Sequence, residues 1–106
     1  MANGDRYYFI EMPATQHYTH EVSIGTTEVS VTLPFEVKKF VFLTNDDDTN
    51  DLLIAFNTAT TSDGMSGTNK VIRLKPGETL QEFRYKATSI KFKRSAGTGN
   101  VRFLAV

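Results

Sequence analysis

Apolar and polar residues alternate along most of the chain after His20, with the two-residue period of strands that bury one face. The alternation is clearest in residues 29–33 and 89–93. No ten-residue segment combines a period of 3.6 with helix-capping residues, so we expect no helix longer than one turn. The pattern therefore predicts an all-β protein.

Turn-forming residues divide this pattern into eight short strands. The breaks between them contain Gly, Pro, or clusters of Asn, Asp and small polar residues. The predicted strands are residues 20–24, 27–33, 37–44, 51–57, 70–75, 78–86, 88–94 and 100–106. We expect one antiparallel β-sandwich domain over residues 21–106, of which a jelly roll is one form, preceded by an N-terminal arm or edge strand over residues 1–20.

The segment Lys75 to Glu78 is predicted to form a type II turn. Pro76 presets φ at the second position of such a turn, and Gly77 accepts the positive φ of the third. Type II turns splay the strands of a two-residue hairpin. We therefore expect the chain to cross between two sheets here instead of folding back in one.

Ala87 and Thr88 are predicted to form a two-residue hairpin loop between the sixth and seventh strands. The alternative is a longer loop, because Ala-Thr is a poor type I′ sequence. The short loop pairs apolar with apolar positions on the buried side, which favours this register. The cross-strand pairs would be Tyr85 with Ile90, Phe83 with Phe92, Arg84 with Lys91, and Glu82 with Lys93.

Three apolar runs do not alternate. Residues 40–43 and 52–56 are apolar on both strand faces, so one face should meet the core and the other a partner or the N-terminal arm. The third run, near the N-terminus, must also be buried, either as an outer strand of its own sheet or as an arm on a neighbouring subunit. The residues that we assign to a protein interface are Tyr7, Tyr8, Phe9, Ile10, Phe40 and Phe42.

Composition narrows the classes of protein. The 106 residues include no Cys, which excludes disulfides and thiolate metal sites. The first residues lack the pattern of a signal peptide, and no apolar run is long enough to span a membrane, so we expect a soluble protein made in the cytoplasm.

Net charge is −6 over residues 1–51 and +6 over residues 52–106. The charges either mix as strands interleave, or leave acidic and basic edges through which copies associate.

The densest polar cluster is the loop from Asp46 to Asp51. Its spacing matches the first half of a calcium-binding loop, but position six is Asp51 instead of Gly and position twelve is Asn57 instead of Glu. We therefore predict an ordinary solvated loop and no metal. The residues predicted to be exposed in loops are Asp46, Asp47, Asp48, Asn50, Asp51, Asp63 and Met65.

Catalytic patterns are weak. His17 and His20 have a spacing that suits a helix better than a strand, and no third ligand is evident. Residues 64–67 fall one residue short of the Gly-x-Ser-x-Gly hydrolase signature. Gly-rich phosphate-binding motifs are missing from the sequence as well. We predict a protein that is not an enzyme and needs no cofactor.

Basic residues gather on the sixth and seventh predicted strands. They are Arg84, Lys86, Lys91, Lys93 and Arg94. A surface that binds single-stranded nucleic acid needs positively charged side chains and aromatic rings on the same face of the sheet. Parity instead places Phe83, Tyr85 and Phe92 on the face opposite most of these cations. We therefore predict no nucleic-acid partner.

The chain from Phe40 to Val106 follows a recognisable plan of strands and turns. It has a strand ending in Thr44-Asn45, the strand DLLIAFN (51–57), and the run VIRLKPGETLQEFRYKATSIKFKRSAGTGNVRFLAV (71–106). That run holds a Leu-x-Pro-Gly-Glu corner, an aromatic strand, an Ala-x-Ser-Ile strand, a Ser/Gly turn and a closing apolar strand. This plan resembles small all-β virion proteins of tailed bacteriophages and prophages. Residues 1–20 lie outside the resemblance.

The resemblance implies a structural protein of a phage particle that is made in the host cytoplasm. It would be a capsid decoration (cement) protein or a head or tail accessory protein that binds capsid or tail protein in many copies. Such proteins are often homotrimers or other closed rings. One alternative is a carbohydrate- or receptor-binding β-module, and another is a bacterial protein that shares only the architecture.

Overall fold

The chain forms one antiparallel sheet. The computed structural model describes residues 16–63 and 70–106, so the predictions for Tyr7, Tyr8, Phe9, Ile10 and Met65 lie outside the described residues. The strands are β1 (Tyr18–Ile24), β2 (Val29–Asp46), β3 (Leu52–Phe56), β4 (Ile72–Leu74), β5 (Thr79–Arg94) and β6 (Gly99–Ala105). Their order across the sheet is β1-β6-β2-β5-β3-β4. The all-β prediction is confirmed.

The predicted number of strands is wrong, because β2 and β5 each replace two predicted strands. β5 runs straight through Ala87 and Thr88, so the predicted hairpin and its pairs do not form. Ala87 lies opposite Val37 of β2 instead. The apolar pairs that favoured a local hairpin are outweighed by pairing with a strand some 50 residues earlier in the chain.

A wide irregularity in β2 explains how this strand passes through Pro34. Thr32 pairs with Ser89 and Val37 pairs with Ala87, so residues 33–36 lie opposite Thr88 alone. Proline cannot donate a hydrogen bond to a neighbouring strand and is tolerated where the ladder is interrupted. The predicted break at Pro34 is therefore a bulge within one strand.

The two long strands change neighbours along their length. Residues 29–32 of β2 and all of β3 pair with the C-terminal part of β5, whereas residues 37–44 of β2 pair with its N-terminal part. The C-terminal part of β2 also pairs with β6. The sheet curls around one core, since the ring of Phe40 lies 5.4 Å from that of Phe56 in β3 and 5.9 Å from that of Phe103 in β6.

Asn57 supports β5 at the point where β2 departs from it. It ends β3 with a φ of 60°, a left-handed conformation that Asn tolerates better than most residues. Its side-chain Nδ2 donates to Lys86 O at 3.1 Å, and its Oδ1 accepts from Thr88 N at 2.9 Å. One side-chain amide thus takes the place of a strand neighbour beside the β2 bulge.

The turn at residues 75–78 has the predicted local geometry. Gly77 has a φ of 76°, and Glu78 N donates to Lys75 O at 3.0 Å. β4 pairs with β3, whereas the first residues of β5 pair with β2, so the turn does not close a hairpin. Both flanking strands nevertheless belong to the same connected sheet.

Candidate functional sites

A fully buried arginine lies beneath the loop from Asp46 to Asp51. The side chain of Arg94 has no exposed surface, unlike that of Lys86 on the same strand, with which it was grouped as a basic residue. Its Nε donates to the backbone oxygens of Ile24 and Gly99, and its Nη2 to that of Asn100. Nη1 donates to Asn45 Oδ1 at 2.7 Å and to a backbone oxygen of the loop. Burial lowers the pKa of Arg94, but a guanidinium stays charged in proteins.

Asn45 is buried and connects Arg94 to the C-terminal end of β4. Its Nδ2 donates to the backbone oxygens of Asn50 at 2.9 Å, Leu74 at 3.2 Å and Lys75 at 3.1 Å. Its Oδ1 accepts from Arg94. Sequence reasoning treated Asn45 as the first residue of a solvated loop and missed this role. A signal was present, because Asn45 shares the parity of buried Leu43.

The carboxylates of this loop are held by separate partners. Asp47 Oδ2 accepts from Asn50 N at 2.7 Å and Thr49 N at 3.3 Å, and these bonds lower the pKa of Asp47. Asp51 pairs with Arg73 at 2.9 Å, on the side of β4. Asp46 and Asp48 are exposed, whereas Asp47, Asn50 and Asp51 are half-buried.

The described residues contain no group of three His, Cys, Asp or Glu side chains that could hold a metal ion. His20 is half-buried and shares a hydrogen bond between its Nδ1 and the hydroxyl of Tyr18 at 3.0 Å. His17 is exposed and directly precedes β1. The structure therefore places the two histidines in different surroundings.

A second polar cluster ties the loop after β3 to the start of β2. Both the backbone N and Oγ1 of Thr61 donate to Glu28 Oε1, at 2.8 and 2.6 Å. Thr61 is only 2 % exposed, although it lies in a stretch that the sequence predicts to be a polar loop. These hydrogen bonds are the main cause that lowers the pKa of Glu28, and the nearby positive charges of Lys91 and Lys93 lower it further. Glu28 thus holds the loop as an ionised acceptor.

The hydrogen bonds between Thr61 and Glu28 should make a pH-dependent contribution to the free energy of unfolding. Because the folded-state pKa of Glu28 is lowered from 4.5, its contribution is complete above that value and is lost as pH falls through the folded pKa. Glu28→Gln should lower the free energy of unfolding by about 1 kcal/mol at pH 7, and the gap from wild type should narrow as the pH falls below 4.5. Urea unfolding at pH 7 and at a series of acid pH values measures the gap.

The matched control for this prediction is Glu36→Gln. Glu36 is also exposed, with its Oε1 3.9 Å from Lys38 Nζ, so its replacement should change the free energy of unfolding little at any of these pH values. A gap for Glu28→Gln that stays the same over the whole acid range would show that ionisation of Glu28 plays no part in holding the loop.

One face of the sheet is exposed across four strands, and we call it the outer sheet face. Cross-strand pairing arranges its side chains in three rows over β1, β6, β2 and β5. The rows are Thr19, Leu104, Phe42 and Gln81; Glu21, Arg102, Thr44 and Thr79; and Ser23, Asn100 and Asp46. Side-chain contacts confirm that these residues share a face, since Thr44 Oγ1 lies 3.0 Å from Thr79 Oγ1.

The chemistry of the outer sheet face is mixed. Phe42 and Leu104 form a half-buried apolar pair in the first row. Arg102 lies over the Phe42 ring at 5.9 Å, with its Nε 3.6 Å from a carboxylate oxygen of Asp46. The remaining positions are mostly hydroxyl and amide side chains. Such a surface is typical of protein interfaces, in which an aromatic residue and an arginine lie among polar groups.

Of the residues assigned to an interface, Phe40 and Phe42 lie in the described part of the chain, and they have different environments. Phe40 is fully buried in the core and presents no surface to a partner, whereas Phe42 lies on the outer sheet face. A bulge separates them, because Phe40 pairs with Ala105 and Phe42 with the adjacent Leu104. Strict alternation cannot reveal such a bulge. The interface proposed below uses Phe42 alone of this pair.

Tyr85 is an exposed aromatic residue that sequence analysis assigned to the buried side. It is 43 % exposed, yet its ring lies 4.8 Å from that of Phe56 and stacks on Phe83 at 5.5 Å. It therefore sits at the rim of the core.

The described residues include no helix long and apolar enough to cross a membrane. Comparisons with models of protein families, with curated proteins and with solved structures find no match to this chain. The case for a function therefore depends on the geometry of its surfaces.

Proposed function

We propose that this chain is a non-enzymatic structural protein of a phage particle, located in the virion and made in the host cytoplasm. It would serve as a capsid decoration (cement) protein or a head–tail accessory protein that binds protein surfaces in many copies. The observation that carries the proposal is the outer sheet face, where Phe42, Leu104 and Arg102 lie among polar side chains on an exposed surface. The strand plan of residues 40–106 adds the resemblance to virion proteins.

In this proposal, binding to the particle depends on many copies of the same modest contact. Arg102 is paired with Asp46 and lies beside Glu21, so the outer sheet face carries charges of both signs and suits a partner surface of similar mixed character better than a strongly charged polymer. A single contact of this kind is modest, but copies joined in a homo-oligomer, such as a trimer, would bind with much higher avidity.

We also retain the β-sandwich, with the jelly roll as one form, as a proposal in which β1-β6-β2-β5 and β2-β5-β3-β4 form the layers.

The experiment is co-sedimentation of the purified chain with phage heads and tails built from the proteins encoded beside its gene. We expect many copies per particle, and we expect Phe42→Asp to reduce the bound fraction at least tenfold because it replaces one member of the apolar pair Phe42 and Leu104 with a charge. Lys38→Asp, at an exposed position on the same strand, is the control and should bind like wild type. Failure of the wild-type chain to sediment with either particle would refute the proposal.

The rival function is a carbohydrate- or receptor-binding module. It depends on exposed aromatic rings beside Asp or Asn loops, and Tyr85 is partly occupied by its packing on Phe56 and Phe83. A glycan array separates the two functions, because binding to a defined glycan that is lost in Tyr85→Ala would favour the rival.

A further inference from the structure

The two edges of the sheet differ in how they are protected against pairing with another chain. β4, at one edge, has three residues and lies among Lys70, Arg73, Lys75 and Pro76. Short length, cations and proline are the usual features that keep an edge unpaired. β1, at the other edge, has seven residues, contains no Lys or Pro, and pairs with β6 without a register shift. Among the described residues, β6 is its one neighbour in the sheet.

We propose that β1 pairs antiparallel with β1 of a second copy of this chain and so extends the sheet across a two-fold axis. This inference rests on the self-association in the proposed function and specifies a two-fold contact for it, in place of the three-fold contact of a trimer. The inward-facing row of β1 supports a strand as the occupant. Tyr18, His20 and Val22 are only half-buried at this edge, while Ile24, farther along the same row, is fully buried. A second β1 would cover the exposed part of that row.

The register of this pair follows from face and charge. Residues that face each other must lie on the same side of both strands, and the registers nearest the middle of β1 are those centred on His20, Glu21 and Val22. The register centred on Val22 would leave half-buried Tyr18 without a partner in the second β1. A register centred on Glu21 would place two carboxylates directly opposite each other, which is unfavourable. The register centred on His20 instead places Thr19 opposite Glu21, and Tyr18 opposite Val22. We therefore assign the dimer to the His20-centred register.

The absence of Cys allows a direct test by disulfide crosslinking. His20→Cys should form covalent dimers under mild oxidation, because the two residues would face each other within disulfide range. Thr19→Cys mixed with Glu21→Cys should crosslink as a heterodimer, and both positions are exposed, so these variants should keep the fold. Ser23→Cys is the control, since the two copies of residue 23 would lie ~20 Å apart.

Each outcome of this test has one meaning. Covalent dimers of His20→Cys and of the Thr19→Cys and Glu21→Cys mixture, with few from Ser23→Cys, support the proposal. Efficient crosslinking of Glu21→Cys alone, or equal crosslinking of Ser23→Cys, overturns it. Crosslinks that form only after removal of residues 1–12 would identify the chain's own N-terminal segment as the occupant of the edge, and would also overturn it.

Light scattering on the wild-type chain separates this proposal from the proposed function. A higher oligomer without the His20→Cys crosslink would overturn the β1 dimer and leave assembly in many copies standing. A monomer at every concentration, without crosslinks, would overturn both the dimer and self-association in solution. Particle binding is measured independently by co-sedimentation.

Discussion

Replacing Arg94 with Ala should remove about 4–5 kcal/mol from the free energy of unfolding, which approaches the whole stability of the least stable domains of this size. The guanidinium donates to β1, β2, β6 and the loop after β2, and it is fully buried. Its loss would leave buried carbonyl oxygens and Asn45 Oδ1 without donors, in addition to a cavity. Urea unfolding followed by circular dichroism measures the effect.

Two further variants separate the causes of this loss. Arg94→Met keeps most of the side-chain volume but none of the hydrogen bonds. It should therefore avoid the part of the Arg94→Ala loss that comes from the cavity, and still lower the free energy of unfolding by about 3 kcal/mol relative to wild type. Lys86→Ala removes an exposed cation from the same strand and should change the free energy of unfolding by less than about 0.5 kcal/mol. Arg94→Ala within 1 kcal/mol of wild type would show that this cluster contributes little to the fold.

Gly97→Ala should lower the free energy of unfolding by about 2–3 kcal/mol. Gly97 has a φ of 68°, which strains any residue with a Cβ. An added Cβ would also lie 3.1 Å from Asn50 Cγ and closer still to the amide nitrogen of that residue. The side-chain amide of Asn50 would have to turn away and give up its hydrogen bond to Thr49 Oγ1, because the backbone of Asn50 is held by Asn45 and Arg94.

Gly77→Ala is the matched control, because Gly77 has a similar φ of 76° but no atom within 4 Å of an added Cβ. It should show only the backbone cost, about 1 kcal/mol. The difference between the two variants, measured by thermal and urea unfolding, reports the close approach of Asn50 to the turn before β6. Equal losses would mean that the loop moves aside without cost.

Much of the core could be predicted from alternation. Val31, Leu33, Ile90 and Phe92 are buried as their parity requires, and the Pro76-Gly77 turn has its predicted geometry. Parity also contained information that our interpretation did not use. Arg94 follows Ile90 and Phe92 on the buried side, and a charged residue at such a position indicates a hydrogen-bonded cluster, not a surface.

The extent of the strands could not be predicted, because it depends on partners distant in the chain. Pro34 and Ala87-Thr88 resemble local breaks, and a short hairpin offers apolar pairs at little cost in loop closure. The folded chain instead places a bulge of β2 at Pro34 and supports β5 with the amide of Asn57. Neither compensation is visible in a local pattern, since each joins residues about 30 or more positions apart.

By itself, the sequence determined an all-β chain, the faces of most strands and the turn at Gly77, because side-chain parity and backbone φ preferences act within a few residues. Tertiary structure alone decided that eight predicted strands become six, that Arg94 and Asn45 join the chain in one buried cluster, and that Phe42 faces outward while Phe40 does not. Those features depend on hydrogen bonds and packing between distant segments, and a bulge of one residue is enough to reverse the face of every position after it.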